Sequence, residues 1–514
     1  MANIPIPKEW QTLLNEHHRR HANAQAMGGK QRLERLRQDG RLNAREILQA
    51  LVDKDSFMEL GSLVGGIARP GIPAAPADAL VAGIGSINGR KVVIGAEDFT
   101  VQGGSIGHGN SAKRTRLVRL AHQEKVPLVM LLDGAGERVT NSLTRYPYSP
   151  NDLQELAALS GKVPTVAIIF GASAGHSALT ALLMDYIVIL ENATLFSAGP
   201  PLVAVATGEK ITKEALGGSH MHTSRSGVAH NLARDELHAC ALVKEYLNFL
   251  PQNAWQRPPP LSHTKGNTSQ RKLENILDII PADAMTPYNI KQVIELLVDH
   301  SDESSRFYEL QPHYGSSIVI GFGRLGGEVI AIVANQPQVM AGAINHEAAE
   351  KAAHFLELAD AFHLPVLFLA DNPGIMSGSQ AEQRGTLRAA AKMYFAQSKL
   401  RSPKLHVTLR KAFGFGSSLM AMNPFDHQTI SLALPGVYLG GIPAKRGSQA
   451  ANLDNNIQEL LTTLENGGAW YAADNMAYDE IIDPRELRNA LLQALKLSLN
   501  RYAQPPKPGA GIRP

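Results

Sequence analysis

The sequence predicts an α/β protein built from two similar halves, each with a buried and mostly parallel sheet. Two observations predict this fold class. Apolar and Gly-rich segments recur in the same order at a constant spacing, and in each half short apolar strands alternate with helical stretches. Such alternation is typical of parallel sheets that are covered on both faces.

The repeat is visible as a fixed offset between matching segments. Ala82–Gly89 (AGIGSING) is echoed by Ile320–Gly327 (IGFGRLGG), at 320 − 82 = 238 positions. Val126–Gly136 is echoed by Leu364–Gly374 at the same offset, 374 − 136 = 238. Because chance similarity between Gly-rich segments would not keep its register over this distance, the sequence indicates a tandem duplication.

The elements of each half are predicted in the same order. A hairpin of two apolar strands (IGSINGRKVVIGAED and IGFGRLGGEVIAIVAN) comes first, and a helix follows over Ser111–Gln123 or Glu347–Phe362. A short apolar strand then ends in a Gly-rich loop. After another helical stretch, a second apolar strand ends close to Gly175 or Gly414, and a helix begins there.

These strand-to-helix junctions are the first candidate for chemistry. Val163–Gly175 and Ser402–Gly414 match at 414 − 175 = 239 positions. A helix N-terminus exposes unpaired backbone N–H groups, and two N–H groups aimed at one carbonyl oxygen form an oxyanion hole. Two such junctions indicate a reaction in which two carbonyl oxygens become negative. Tight turns without a catalytic role would give the same pattern, so the residues alone leave both interpretations open.

Composition and the repeat together predict four segments. Residues 1–60 form a helical, charged N-terminal extension, in which Asn43 and Glu46 have the spacing of a capping box. Residues 61–250 and 271–514 form the two domains. Residues 251–270, rich in Pro and polar side chains, form a linker.

The overall composition excludes several classes of function. The chain has 514 residues, a net charge of +3 and 44% hydrophobic residues, so it has ample core and no charge pattern that indicates nucleic acid. Cys240 is the one cysteine, which excludes a disulfide framework or a multi-cysteine metal site, and no metal is expected. No signal core or stretch of about 20 apolar residues occurs, so we expect a cytoplasmic protein without membrane contact.

Two familiar motifs compete with the backbone interpretation. Gly171–Gly175 (GASAG) fits the G-x-S-x-G turn of hydrolases, with Ser173 as nucleophile. The second half, however, has Ala412 at the position of Ser173, which favours a backbone role for the turn. Gly104–Ser111 approaches a phosphate-binding P-loop, but Asn110 stands where that loop needs Lys.

Several segments resemble the carboxyltransferase (β) subunit of biotin-dependent acyl-CoA carboxylases, of the propionyl-CoA carboxylase β type. The resemblance runs from about residue 28 to the C-terminus. The matching segments, in chain order, are Asp98–Gly107 (DFTVQGGSIG), Gly208–Gly218 (GEKITKEALGG), Asn335–Pro337, Asp360–Pro365, Arg410–Gly414 and Asp479–Arg488.

The resemblance implies two crotonase-like domains, each a ββα superhelix, in chains that assemble as a homo-hexamer. It also implies that a carboxyl group moves from carboxybiotin, held on a biotin carboxyl carrier protein, to the α-carbon of an acyl-CoA. In this family biotin itself acts as the base. A separate biotin carboxylase and the carrier protein would be the partners of this chain.

Carried over residue by residue, the resemblance places one hole on the N–H groups of Gly175 and His176 and the other on those of Phe415 and Gly416. By analogy the first hole would hold the thioester and the second biotin, with the reverse assignment open. Ser418 falls where the family has a residue that helps to set acyl-chain choice. The substrate-binding positions implied are Gly103, Gly104, Gly136, Ala174, Gly374, Gly414 and Ser418.

The sequence departs from the family at both holes. The family's A-G-G is Ala174–His176 (AGH) here, and its Y-G-G-A is Phe413–Gly416 (FGFG). These departures leave the acyl substrate open. A biotin-dependent acyl-CoA decarboxylase subunit, which runs the transfer in reverse, is the nearest alternative. A serine hydrolase that uses Ser173 and a non-catalytic scaffold are more distant ones.

Overall fold

The computed structural model describes residues 7–68, 70–143, 152–260, 270–300, 307–423, 425–502, 504 and 506–514. The chain divides into two compact units. The first unit takes in residues 1–222, 228–244 and 514, and the second takes in 223–227 and 245–513. The predicted domain borders stay a prediction, as does the linker, of which residues 261–269 lie outside the described residues.

Among the described residues, the first unit has a seven-stranded sheet and a separate pair of strands. Its strands are β1 Met58–Glu59, β2 Leu80–Ile87, β3 Arg90–Glu97, β4 Leu128–Leu132, β5 Thr165–Ile169, β6 Ala172–Ala174, β7 Tyr186–Leu190, β8 Thr194–Phe196 and β9 Asn231–Ala233. The helices between residues 8 and 249 are α1 Lys8–Gln25, α2 Lys30–Gln38, α3 Ala44–Leu51, α4 His108–Glu124, α5 Asp152–Leu159, α6 His176–Leu182, α7 Pro200–Thr207, α8 Lys213–Gly217, α9 Ser219–Ser224 and α10 Glu236–Phe249. The last two of these helices cross the borders between the units.

The described part of the second unit has an eight-stranded sheet. Its strands are β10 Phe307–Leu310, β11 Ile318–Leu325, β12 Glu328–Asn335, β13 Val366–Asn372, β14 Lys404–Phe413, β15 Gln428–Ala433, β16 Tyr438–Gly440 and β17 Glu480–Ile481. Its helices are α11 Ile276–Ile279, α12 Ile290–Leu297, α13 His346–Ala361, α14 Ser379–Gln383, α15 Thr386–Ser398, α16 Gly414–Leu419, α17 Ala444–Ala450, α18 Asn455–Asn466, α19 Gly468–Asp474 and α20 Leu487–Ser498. Short 3-10 helices lie at Pro76–Ala79, Gln102–Gly104, Val139–Leu143, Met340–Gly342, Pro484–Glu486 and Leu499–Tyr502.

The two sheets have the same topology. The first runs β1-β2-β3-β4-β5-β7-β9 and the second β10-β11-β12-β13-β14-β15-β17. In each, the first two strand pairs are antiparallel and the remaining pairs are parallel. Strands β4 and β5 are buried along their whole length, as expected for a sheet covered on both faces. The predicted α/β duplication is therefore confirmed.

The duplication extends to the side chains that fix the hairpins. The carboxylate of Asp53 accepts the N–H groups of the Asn88–Gly89 turn at 2.9 and 2.8 Å. The carboxylate of Asp299 accepts those of the Gly326–Gly327 turn at 3.0 and 2.7 Å. A charged acceptor on two adjacent N–H groups holds each turn in place.

Two buried lysines mark the same equivalence, since Lys351 and Lys113 are 351 − 113 = 238 positions apart. Lys113 Nζ donates to the carbonyl of Ala77 at 3.0 Å, and Lys351 Nζ donates to the carbonyls of Gln311 and Tyr314 at 3.1 and 2.7 Å. Burial lowers the pKa of Lys113 to about 8 and the pKa of Lys351 to about 7. Both ammonium groups therefore reinforce loops of the scaffold at a desolvation cost.

The N-terminal extension contains the capping box that the sequence predicts. Helix α3 begins with the predicted capping box, in which the Asn43 side chain accepts the N–H of Glu46 and the Glu46 side chain accepts the N–H of Asn43.

No helix among the described residues has the length and apolar character needed to cross a bilayer.

Candidate active site

The junction of the first unit lies between β6 and α6. Gly175 links them with φ 57° and ψ −117°, a conformation that strains residues with a side chain. Its N–H donates to the carbonyl of Phe196 in β8 at 3.1 Å. This N–H, which the sequence predicts for an oxyanion hole, is therefore bound within the protein in this structure, and its part in a hole stays a prediction. Gly175 instead makes the turn that presents the next residues.

The unpaired donors lie one step further along the chain. His176 and Ser177 are the first residues of α6, and their N–H groups donate to no backbone carbonyl among the described residues. At the 239-residue offset His176 matches Phe415 and Ser177 matches Gly416. The donor pair predicted in the first half therefore begins one position earlier, relative to the repeat, than the pair predicted in the second half.

A second loop lies against each junction, and the sequence prediction used it for substrate contact alone. A Cβ atom on Gly136 would lie 2.8 Å from the carbonyl oxygen of Ala174. The carbonyl of Gly136 accepts the N–H of Ile106 at 2.8 Å, whereas the N–H groups of Gly136 and Glu137 donate to no described residue. Glu137 therefore offers a candidate donor beside α6. The sequence did contain a signal for this donor, because the Asp133–Gly136 segment before it is repeated in the second half.

The second unit repeats this arrangement. Gly414, with φ 52°, follows β14 and opens α16. A Cβ atom on Gly416 would lie 2.7 Å from the Cα of Gly374, so the loop after β13 touches the start of α16. The carbonyl of Gly374 accepts the N–H of Ile344 at 3.1 Å. The N–H of Ile375 has no acceptor among the described residues and is the counterpart of that of Glu137.

The Gly103–Gly104 turn supports the first loop. Both residues have a positive φ, and a Cβ atom on Gly104 would lie 2.3 Å from the carbonyl oxygen of Asp133. The carbonyl of Gly103 accepts the N–H of Ala135 at 3.0 Å. Gly342 stands equally close to Asp371, with a Cβ atom 2.2 Å from its carbonyl oxygen. Close backbone packing therefore requires glycine at both places.

Buried ion pairs fix the two loops. Asp133 binds Arg41 at 2.6 Å and accepts the N–H of Ala172 at 3.0 Å. Burial raises the pKa of Asp133, and the charge of Arg41 opposes that shift. In the second unit Asp371 binds Arg410 at 2.8 Å. Each carboxylate is thus paired, which offsets the cost of its burial.

His176 adds a side chain that the family pattern lacks. Its Nε2 lies 2.8 Å from Asp152 Oδ1, and the imidazole is 24% exposed whereas Asp152 is 2% exposed. The other oxygen of Asp152 lies 3.6 Å from Arg114 Nη1. Burial alone would raise the pKa of Asp152, but the hydrogen bond from His176 and the charge of Arg114 outweigh it and hold that pKa below its ordinary value.

A buried network lies behind this pair. Arg114 pairs with Glu97, which is fully buried. Glu97 accepts the hydroxyl of Ser177 at 2.6 Å and the N–H of Asp133 at 2.8 Å. One carboxylate therefore connects the start of α6 to the loop after β4. Because its partners come from several elements, it fixes their relative positions.

The start of α16 presents an apolar side chain instead. Phe415 is 73% exposed. Ser418 lies further along the same helix, half-buried, and its carbonyl accepts Gln397 Nε2 at 3.0 Å. Both residues lie on the element where the sequence predicts substrate contact, and their roles stay a prediction.

Ser173 does not have the surroundings of a nucleophile. Its side chain is fully buried in β6, and its Oγ has no hydrogen-bond partner among the described residues. A nucleophilic serine needs an adjacent base and access to its substrate. The structure therefore argues against the hydrolase alternative. No group of three or more His, Cys, Asp or Glu that could hold a metal occurs in the described ranges.

A cavity with cationic walls borders the Gly103 turn. Its volume is about 460 Å³, and its wall contains three arginines, Arg32, Arg35 and Arg41, and one carboxylate, that of Asp39. Arg41 is committed to Asp133, and Arg32 Nη1 donates to the carbonyl of Thr100. Arginine side chains are suited to phosphate groups, so the cavity fits an anionic ligand.

Comparison with known proteins decides the family. Residues 35–511 match the family described as "Carboxyl transferase domain". The chain belongs to the carboxyl transferase domain family. Among curated members, the methylmalonyl-CoA decarboxylase subunit alpha of Veillonella parvula is 33% identical, over 96% of this chain and 97% of that protein. The putative propionyl-CoA carboxylase beta chain of Bacillus subtilis (strain 168) is 32% identical, over 98% and 100%.

A solved structure of the carboxyl transferase family has the same fold. Transcarboxylase 12S, described as a hexamer assembly with hydrolysed methylmalonyl-coenzyme A bound, superimposes with a TM-score of 0.89 and 30% identity. The match covers 99% of this chain and 100% of the other. The predicted pair of crotonase-like domains and the predicted membership in the biotin-dependent acyl-CoA carboxylase family are therefore confirmed. The enzyme is a carboxyltransferase.

Proposed function

We propose that this carboxyltransferase moves a carboxyl group from carboxybiotin on a separate carrier protein to the α-carbon of an acyl-CoA. The observation that carries the proposal is the doubled junction, in which a Gly turn, the start of a helix and an adjacent loop recur in both units. Two sets of unpaired N–H groups suit a transfer in which two carbonyl oxygens gain negative charge, one on the thioester and one on the ureido group of biotin.

The donors of each unit follow from the hydrogen bonds already made. In the first unit the N–H groups of His176 and Glu137 would bind the thioester oxygen as the enolate forms. In the second unit those of Phe415 or Gly416 and of Ile375 would bind the ureido oxygen. When bound, carboxybiotin supplies the carboxyl group. Gly175 and Gly414 make the turns, and Gly103, Gly104, Gly136 and Gly374 hold the loops close to them.

The assignment of acyl-CoA to the first unit is supported by the arginine-lined cavity. It borders Gly103, whose carbonyl holds the loop that bears Gly136. Arg32 and Arg35 would attract the phosphate groups of coenzyme A, which carry most of its charge. Phe415 and Ser418 would line the biotin site of the second unit, where an exposed aromatic ring suits the apolar part of biotin.

A biotin carboxylase and a biotin carboxyl carrier protein would be the partners, and a homo-hexamer would be the working assembly. Family membership supports the first, and the hexamer named for transcarboxylase 12S supports the second. Light scattering on the purified chain tests the assembly. A monomer at assay concentration would contradict it.

Transfer in reverse, from a malonyl-type CoA to biotin, is a second candidate. The relative named methylmalonyl-CoA decarboxylase subunit alpha favours it. The residues that bind the two oxygens would be the same in either direction, because the enolate is common to both.

The test is a panel of acyl-CoAs assayed with the purified chain, a biotin carboxylase and a biotinylated carrier. Labelled carboxyl should appear on one or more acyl-CoAs, or leave a malonyl-type CoA for biotin. Ser173→Ala should keep the activity and the wild type should resist a fluorophosphonate. Absence of transfer in both directions with every acyl-CoA would overturn the proposal.

A further inference from the structure

We propose that His176 and Asp152 form a proton-transfer pair that removes and returns the α-proton of bound acyl-CoA without biotin. The inference rests on the proposed function, because it uses the same acyl-CoA site of the first unit. It adds a side-chain base to a transfer that the family carries out with the backbone and the bound substrate.

The geometry of the pair supports this role. His176 Nε2 and Asp152 Oδ1 are 2.8 Å apart, and the carboxylate is almost completely buried. Because Asp152 is ionised beside Arg114, it accepts a hydrogen bond, and Nε2 carries the proton. Nδ1 then has the lone pair, and it has no partner among the described residues. A carboxylate that orients a histidine in this way fixes its tautomer and the direction of its ring.

The position of the pair is equally specific. His176 directly follows the Gly175 turn, and the Gly136 loop lies against the same turn. The N–H and the ring thus belong to one residue. A thioester oxygen bound at this N–H would hold its α-carbon two bonds away, on the side of the partly exposed ring. A base must reach the proton that it abstracts, and the proposal assigns that reach to the ring of the residue whose N–H binds the oxygen.

The proposed step balances without a further reactant. The Cα–H bond breaks, its proton passes to Nδ1, and its electron pair forms the enolate. The negative charge on the thioester oxygen is stabilised by the N–H groups. Return of a proton from Nδ1 to Cα restores the acyl-CoA, and exchange of the Nδ1 proton with solvent labels it in heavy water. No oxidation or reduction takes place.

The experiment measures α-deuteration of acetyl-CoA and propionyl-CoA in heavy water by mass spectrometry, with the full-length chain and with neither carrier nor biotin. Wild type should exchange the α-proton. His176→Gly, which restores the residue usual in the family, and His176→Gln should each lower the exchange rate at saturating acyl-CoA by about 100-fold. The exposed variant His18→Ala serves as the matched control and should exchange like the wild type.

Asp152 positions the His176 ring and does not touch the substrate. Its test therefore needs a measurement that distinguishes loss of this positioning from loss of the fold. Asp152→Asn should lower the exchange rate about 10-fold or more while KM for acyl-CoA stays unchanged. Asp152→Glu should recover part of the rate. Loss of KM and rate together, without recovery in Asp152→Glu, would indicate a structural role and overturn the assignment of Asp152.

The two proposals fail in different ways. If the wild type transfers carboxyl with the carrier but does not exchange the α-proton, or if His176→Gly exchanges as fast as the wild type, the proton-transfer pair is refuted and the proposed function stands. If the wild type binds no acyl-CoA and does neither, both are refuted.

Discussion

The two strand-to-helix junctions share a backbone and differ in their chemistry. Both turn at a glycine of positive φ, and both lie against a loop held by a buried aspartate. The first junction then presents His176, bound to Asp152, whereas the second presents Phe415, an exposed apolar ring. The duplication has kept the backbone turn and has changed the side chains that follow it, which is the difference that the proposed function assigns to two different ligands.

The largest expected effect on carboxyl transfer comes from adding a Cβ atom at the second junction, where there is no room for one. In Gly416→Ala the new Cβ would lie 2.1 Å from Asn372 Oδ1 and 2.7 Å from the Cα of Gly374. Carboxyl transfer should fall by about 100-fold or more, as for loss of an oxyanion-hole donor. Ser177→Ala, at the equivalent position, keeps a Cβ that already fits and should lower transfer by about 10-fold or less. Similar losses in the two variants would contradict the proposed equivalence.

The second prediction compares the groups that anchor the loops. Glu97 accepts the N–H of Asp133 at 2.8 Å, and Asn335, 335 − 97 = 238 positions later, accepts that of Asp371 at 3.1 Å. Glu97→Gln removes the nearer of the two carboxylates that pair with buried Arg114, leaving Asp152 at 3.6 Å, and should lower the free energy of unfolding by about 3 kcal/mol. Asn335→Ser removes neutral hydrogen bonds and should cost about 1 kcal/mol. Urea unfolding followed by circular dichroism measures both.

The third prediction concerns pH and the two buried lysines. Because the pKa of Lys351 falls to about 7 and that of Lys113 to about 8, the unfolded chain binds more protons than the folded one above these values. Their contribution to stability therefore rises with pH, starting near pH 7 for Lys351 and near pH 8 for Lys113, towards the ordinary lysine pKa.

Urea unfolding at pH 7 and pH 9 tests the lysines. Lys351→Met should remove the larger part of the pH-dependent gain and Lys113→Met the smaller part, since the pKa of Lys351 is shifted further. A gain that is the same in the wild type and in both variants would exclude the lysines as its source.

The smallest expected effect sharpens the assignment of ligands to units. Arg35→Glu should raise KM for acyl-CoA by about 5-fold with kcat and KM for the carrier unchanged, because one exposed phosphate contact is worth about 1 kcal/mol. Phe415→Gly should raise KM for the biotinylated carrier instead. Arg20→Glu, on the exposed face of α1, is the matched control for a change of charge. The opposite pattern would exchange the two assignments.

The sequence predicted the fold well because the repeat constrains it at every level. A constant offset required equal strand order, and the structure shows it. The oxyanion holes stay a prediction, and the hydrogen bonds around them could not be read from the sequence. That Gly175 is already bound depends on Phe196, which lies on β8, and no local pattern reveals a bond between separate strands. The pair of His176 and Asp152 likewise joins residues on two helices, and only the fold brings them together.

Some of the missed features were accessible. Lys113 and Lys351 lie at the same offset as the glycines, and the loop that bears Glu137 echoes the one that bears Ile375. The constant offset does not predict which of the repeated side chains are buried. A lysine in an apparently polar helix is assumed to be solvated until packing shows that its ammonium group serves backbone carbonyls.

The placement of the candidate donors on the main chain has an evolutionary consequence. Every amino acid except proline carries the same N–H, so positions 176 and 415 can change side chain without losing a donor. A single substitution there would reshape the wall of a binding site while its means of stabilising charge persists. New acyl chains or new proton-transfer groups can thus be sampled in one mutational step. Substrate choice at such a site can therefore change while the groups that stabilise charge remain in place.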